Sequence, residues 1–492
     1  MTSFIQRAAF LSPGVVLILS FVFSLPSNAQ YFGRNKVQYD DFDFQIMHTN
    51  NFDVYFYDRE AESVKDAARM IERWHSRYTK LLNHKLPPKQ PLILYANHAD
   101  FQQTNVISNL ISQGTGGVTE GLERRIVLPL TGAYSDNDHV LGHELVHAFQ
   151  YHIAIAQKRG IRALSQQPLW FIEGMAEYLS SGSSHPHTAM WMRDAVSHDD
   201  VPTIKQVGRD QRYFPYRYGH AIWAYIAGKW GDDVVGPIYR RAMTLSLDST
   251  FQTILGISRD SLSSEWQQAL RQTYNSQLEG RTKPNDVGEK ILAKDLHAGG
   301  MNMAPAISPD GSQVAFLSEK DLFTIDLFLA DAHTGKIKKK LVSANTDAHF
   351  DALRFMNSAG AWSPDGKLFA FVVFKDGENA ISIVEVASGD VKRTIKTDSI
   401  GAIYHLSWSP DGRQLVFSGS EAGLSDLYLY NLDRGTTRQL TNDRYADLQP
   451  AWSPDGEKIV FVTDRGPGTD MSILKTGPMQ LAMFEVKTGE MK

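Results

Sequence analysis

Apolar and polar positions recur along the chain with periods that change twice. Residues 52–57 alternate in the manner of a half-buried strand. Residues 60–82 carry Val64, Ala67, Ala68, Ile71, Trp74, Tyr78 and Leu81 at helical spacing. Pro87 and Pro88 break the chain after that helix. Residues 91–95 and 125–130 read as two further strands, the second at a sheet edge because Pro129 has no N–H to give a neighbour. A helix is expected to start near 136–138, where acidic side chains suit an N-terminus, and to run toward Lys158 ahead of Gly160. Further helices are expected at 169–179, 218–230, 234–244 and 261–277, so residues 31–277 are mixed α/β turning mostly helical.

Beyond Gly280 the texture changes. A polar stretch over 280–288 reads as a linker, and a repeat follows it: Ser-Pro-Asp-Gly at 308–311, 363–366, 409–412 and 453–456, preceded by Trp362, Trp408 and Trp452 in the last three copies and by Ile307 in the first. The serines are 55, 46 and 44 residues apart, the length of a four-stranded propeller blade. Pro-Asp-Gly supplies tight-turn chemistry, and short β-rich runs such as 414–418 and 458–462 come after it. These repeats resemble TolB-type, WD-like β-propellers. Such propellers usually carry more than four blades, so a small ring, an open ring or a truncated one is expected. The expected domains are 1–29, 30–280, a linker over 281–300, and the propeller repeats over 301–492.

Composition narrows the chemistry. The net charge of −5 argues against nucleic acid, and the one dense basic run, Lys336 to Lys340, sits beside a turn and reads as a solvated hairpin. There is no cysteine, which excludes disulfides, cysteine nucleophiles and thiolate metal sites, so a transition metal would have to be held by histidine and carboxylate. At the N-terminus Arg7 precedes an apolar run over 15–25, with Ser27-Asn28-Ala29 before Gln30. That run is too short to span a bilayer and reads as a secretory signal peptide over 1–29, implying export to the periplasm, cell envelope or extracellular space. No later segment is expected to span.

The densest chemistry lies in His143-Glu144-Leu145-Val146-His147. Inside a helix, positions i and i+4 share a face, so both imidazoles can reach one ion while Glu144 turns toward a water. Val140, Leu141, Leu145, Val146 and Phe149 give this helix an apolar side, and Glu173 and Glu177 lie one turn apart on the next expected helix. The two motifs resemble the gluzincins, the thermolysin-like and aminopeptidase-like zinc peptidases, and among them the peptidase MA-like domains. The resemblance covers about 44–277. It implies one Zn²⁺ per chain held by His143, His147 and Glu173, with Glu144 as general base moving a proton from water to the leaving amine. Glu177 falls where a carboxylate supports a ligand histidine, one methylene longer than the usual Asp. A Tyr or His beyond the third ligand is implied as oxyanion donor, with Tyr218 the first choice from the group Tyr213, Tyr216, Tyr218 and His220, and Tyr216 the second. Glu120, in Gly117-Val-Thr-Glu-Gly121, is a weak candidate for gripping a substrate amine and otherwise a turn carboxylate. A metzincin site is ruled out by Gln150 and Ile153, where that family needs Gly and His. His152, Asp138 and His139 read as surface or cap residues.

The fold class expected is therefore multidomain, an α+β zincin-type metallopeptidase domain followed by an all-β propeller of at least four blades. The function expected is an exported zinc peptidase acting on a peptide or protein substrate, held against the sheet edge by strand addition. The alternative is an inactive metallopeptidase-like scaffold that binds proteins or peptides through its propeller in the cell envelope.

Overall fold

The computed structural model describes residues 37–492 except 109, 322–323, 344–351, 354–359 and 398–399. The expected signal peptide over 1–29 lies outside the described residues.

The N-terminal α+β region opens on a five-stranded mixed sheet. Its strands are β1 (Gln45–His48), β2 (Phe52–Phe56), β3 (Gln90–Tyr95), β4 (Val118–Thr119) and β5 (Ile126–Pro129), in the order β1-β2-β3-β5-β4. The strands β2, β3 and β5 run parallel, while β1 and β4 pair antiparallel at the two edges. Residues 125–130 therefore do not form the edge strand that Pro129 implied. Val118 and Thr119 pair with Val127 and Ile126 and cover β5 from outside. Pro129 is tolerated because β4 is only two residues long and stops short of it.

Helix α1 (Ala61–Leu81) packs on this sheet through the apolar positions its period foretold, with Val64, Ile71 and Tyr78 at zero exposure. Helix α2 (Tyr134–Ala156) crosses it, starting a little earlier and ending a little sooner than its acidic and glycine signals indicated. Leu145, Val146 and Phe149 of α2 are fully buried, each contributing about 1.5–3 kcal/mol of apolar transfer. The crossing is close, since a Cβ on Gly142 would lie 2.9 Å from the Trp74 ring. Trp74 Nε1 donates to both the backbone and the side chain of Asp138, so Asp138 ties α2 to α1 rather than capping α2.

Then come α3 (Leu169–Ser181), α4 (Pro186–Ser197), α5 (Pro215–Trp230), α6 (Val235–Ala242), α7 (Leu247–Leu255) and α8 (Arg259–Leu278). The helices α3 and α5 meet at two glycines. A Cβ on Gly174 would sit 2.4 Å from the Gly219 carbonyl carbon, and one on Gly219 would sit 2.3 Å from the Trp170 carbonyl oxygen. Backbone-to-backbone contact of that kind needs glycine on both sides.

Among the described residues the C-terminal part forms a four-blade β-propeller. Three blades have Asn302–Ile307, Ala402–Trp408 and Asp447–Trp452 as first strands, and the remaining one, between the first two of these, is built from Ala352–Leu353, Ala361–Trp362, Leu368–Lys375, Glu378–Glu385 and Val391–Lys396. In every repeat the Ser hydroxyl donates to the Asp two residues on, at 2.6–2.7 Å, and accepts the backbone N–H five residues on at 2.9 Å. The following Gly takes φ of 70–72°, which closes the turn. The tryptophans tie neighbouring blades, Trp362 Nε1 donating to Ala306 O at 2.9 Å and Trp408 Nε1 to Ala361 O at 3.0 Å.

Propeller and α+β region share one compact unit over Gln38–Lys492. Ser425 Oγ donates to Gly132 O at 2.6 Å, Arg69 to Ser472 O at 2.6 Å, and Arg444 pairs with Asp66. Leu474, from a propeller loop, is buried in the same core as α1 and α2. Among the described residues no helix is long and apolar enough to cross a membrane.

Candidate metal centre

One turn of α2 and one of α3 face each other across a cavity of about 750 Å³. His143 Nε2 and His147 Nε2 lie 3.1 Å apart, and Glu173 Oε2 lies 3.3 Å from the first and 3.1 Å from the second. Ligands 2.0–2.1 Å from a tetrahedral zinc are separated from one another by about 3.3–3.4 Å, so this triangle fits such an ion with little adjustment. The residues the sequence singled out as ligands are thus brought together.

The electrostatics of the cluster favour positive charge at its centre. Burial pushes the His143 imidazole down, but Glu173 and Glu177 outweigh burial and hold it up at about 10. Burial likewise raises Glu173, yet His147 and His143 bring it well below the usual carboxylate range. A proton or a metal cation supplies the charge these groups share.

Each of the two candidate ligand histidines is held from behind. His147 Nδ1 lies 2.8 Å from Gln150 Oε1, and Gln150 Nε2 donates to Ile172 O at 3.0 Å, so one fully buried amide links α2 to α3. A proton on Nδ1 leaves the Nε2 lone pair free to ligate. His143 Nδ1 faces Glu177 Oε1 at 3.3 Å, and Arg217 donates to Glu177 Oε2 at 2.8 Å. Glu177 therefore stands behind His143, as its position in the motif implied. His139 is not a plain surface residue, since it lines the cavity with its Nε2 3.6 Å from Glu177 Oε1. His152 is turned away from the cluster and meets His84, with 2.7 Å between ring nitrogens.

Glu144 is buried on the sheet side of the cluster. Thr119 Oγ1 donates to its carboxylate at 2.7 Å, and a Cβ on Gly117 would meet its Cγ at 2.9 Å. The edge strand β4 thus sets the general-base candidate in place.

The oxyanion candidates change order. Tyr218 is buried against Tyr213 and Trp191 and does not line the cavity, whereas Tyr216 does, its ring nearly parallel to that of His143 at 6.1 Å. Burial first, and then the charge of Glu173, keeps the Tyr216 proton on well above the usual tyrosine range, so its hydroxyl is a donor at neutral pH. His220 is buried with its Nε2 2.9 Å from Gly182 O. Glu120 is not at the site: its two oxygens accept the N–H groups of Leu122 and Glu123 at 2.7 Å, closing its own turn.

Comparison with known proteins bears on the other end of the chain. Residues 357–476 match the family model of the TolB β-propeller domain. An uncharacterized protein of Agrobacterium fabrum is 28% identical over 36% of this chain and 54% of its own length. The Tol-Pal system protein TolB of Ruthia magnifica subsp. Calyptogena magnifica is 30% identical over 32% of this chain and 39% of its own. The uncharacterized peptidase YuxL of Bacillus subtilis is 31% identical over 41% of this chain and 27% of its own. The chain thus spans about half, or less, of the length of the relatives it matches. None of these three names is that of a zinc peptidase, and the reading of the metal centre stands on its geometry.

Gln150, Thr119 and Arg217 join the site beyond the residues that the motifs indicate, Gln150 having counted only as a departure from the metzincin pattern. The i,i+3 spacing of His147 and Gln150 on one helix face was the available signal. Thr119 and Arg217 approach the site only through tertiary folding, β4 curling along α2 and α5 packing on α3.

Proposed function

We propose that this protein is exported, that its TolB-type propeller binds protein, and that its α+β region is a gluzincin-type zinc centre that hydrolyses peptide bonds. The observation that carries the hydrolytic half is the triangle of His143, His147 and Glu173 with Glu144 beside it. His143, His147 and Glu173 would hold a zinc ion, which would supply Lewis acidity toward water and a peptide carbonyl. Glu144, positioned by Thr119 and Gly117, takes the proton of the attacking water and passes it to the departing amine. Tyr216 offers its hydroxyl to the oxygen that gains negative charge. Gln150 and Glu177 hold the two histidines in the ligating orientation. The open edge of β4 gives an extended substrate backbone partners to pair with. Export is supported by the pattern of residues 1–29.

The test is elemental analysis of the purified chain beside His143→Ala and Glu173→Ala. One zinc per chain, lost in both variants, with peptide cleavage abolished by Glu144→Gln, is the expected outcome.

A second reading has its own support. The similarity to known proteins lies with TolB-type propellers, which favours a protein-binding scaffold in the cell envelope over a hydrolase. A chain that takes up no zinc after supplementation, or a Glu144→Gln variant that keeps full biological function, would establish the scaffold in place of the peptidase.

A further inference from the structure

The cavity above the metal cluster continues outward as a ladder of aromatic rings. Tyr216 lies against His143, Phe214 stacks on Tyr216 with centroids 5.1 Å apart and planes at 24°, and Trp191 of α4 meets Phe214 at 5.7 Å. The outer two rings face water, Phe214 being 41% and Trp191 36% exposed. By contrast, Trp170, Trp223 and Trp266 of the same region are at 1% exposure or less. Neighbouring apolar rings left in water beside a cavity are a binding feature more often than a packing accident.

Gly116 and Gly117 also line the cavity and offer no side chain for a bulky group to rest on. The one Arg or Lys among the described lining residues is Arg217, which is engaged by Glu177 at 2.8 Å and is not free to attract an acidic side chain. A small side chain would leave the rings wet, and a charged one would be desolvated without a partner. A flat aromatic side chain can cover Phe214 and reach Trp191 in offset or edge-on contact.

We propose that Phe214 and Trp191 form a subsite for an aromatic side chain of the peptide substrate, next to the bond held at the metal cluster on its His143 side. The assignment of substrate class rests on the peptidase reading above, while the binding of an aromatic peptide does not require it.

The experiment uses the full chain carrying Glu144→Gln, with labelled blocked pentapeptides in which a single Phe or Ala is moved through every position, and binding followed by fluorescence polarisation. At one position the Phe peptide is expected to bind about tenfold more tightly than its Ala counterpart, and adding Phe214→Ala or Trp191→Ala brings that ratio below about threefold. Both side chains are exposed, and melting curves confirm that the variants fold. Equal binding of Phe and Ala peptides at every position, or a ratio unaltered by either substitution, overturns the proposal. Zinc is measured on the same samples. Phe preference without zinc would remove the peptidase and leave an aromatic-binding groove; zinc without Phe preference would keep the metal centre and remove the subsite.

Discussion

Replacing Gln150 with Leu tests whether the metal centre is held from behind as well as from in front. The amide is fully buried and spans two helices, accepting from His147 Nδ1 at 2.8 Å and donating to Ile172 O at 3.0 Å. Leucine fills similar volume but offers neither contact. Ile172 O sits within α3 and keeps its helical partner, so its loss is small. The His147 N–H is left without an acceptor in a buried site, a cost of about 1–3 kcal/mol. To recover a partner the imidazole must turn or shift its proton to Nε2, and either change spoils the lone pair that completes the triangle. Zinc affinity should therefore fall about 10–100-fold, the range for removing a group that orients a ligand histidine. Gln150→Glu keeps an acceptor at the same reach and should recover most of that affinity. Competition with a chromophoric chelator gives the dissociation constants, and circular dichroism melting shows whether the zinc-free fold has also weakened. A Gln150→Leu chain that binds zinc within about twofold of the parent would refute the reasoning.

Three other outcomes are expected. Tyr216→Phe should lower turnover of a cleaved peptide about 10–1000-fold with zinc content unchanged, whereas Tyr218→Phe should leave turnover within about twofold, since Tyr216 lines the cavity and Tyr218 does not; the opposite order in steady-state kinetics would restore Tyr218 as the donor. Gly219→Ala drives a Cβ to 2.3 Å from Trp170 O and should destabilise the α+β region by at least about 1–3 kcal/mol, a melting shift of about 2–4 °C for each kcal/mol; a melting temperature within a degree of the parent would show that α3 and α5 do not pack there. Asp426, in the propeller, is pushed up to about 7 by burial and then by Asp447 and Asp443, so it favours the fold at low pH and that contribution is lost as pH rises from about 4 through about 7; denaturant melts from pH 4 to 8 should show this decline in the parent and a flatter profile in Asp426→Asn.

Much of the chain was legible from local pattern. The helix of residues 61–81 follows a 3.6-residue period that tertiary packing then uses, that of residues 134–156 is bracketed by acidic residues and Gly160, and the four Ser-Pro-Asp-Gly turns carry their own hydrogen bonds, so blade spacing could be read without knowing any long-range contact. The candidate ligand histidines lie four apart on one helix, and Glu173 lies on another helix whose pattern is equally local. What escaped notice was short or depended on a partner. A two-residue strand, Val118–Thr119, has no period of its own, and its presence displaced 125–130 from the edge. The helices Pro186–Ser197 and Leu247–Leu255 are short, 12 and 9 residues, so a helical period has few turns in which to repeat.

The choice between Tyr216 and Tyr218 shows why such details need the fold. Two residues apart on a helix, their side chains point about 200° apart around the axis, so at most one can face the cluster. Propensity and composition treat them alike. The phase of α5 is set by Gly219, which must turn toward Gly174 for the two backbones to touch. Tyr216 lies three residues before Gly219 and so falls on the side of α5 turned toward α3, where it lines the cavity with Glu173. Tyr218, only one residue before Gly219, is rotated about 100° away and packs on Tyr213 and Trp191 instead. A pair of glycines with no chemistry of their own thus decides which of these two phenols reaches the candidate metal centre.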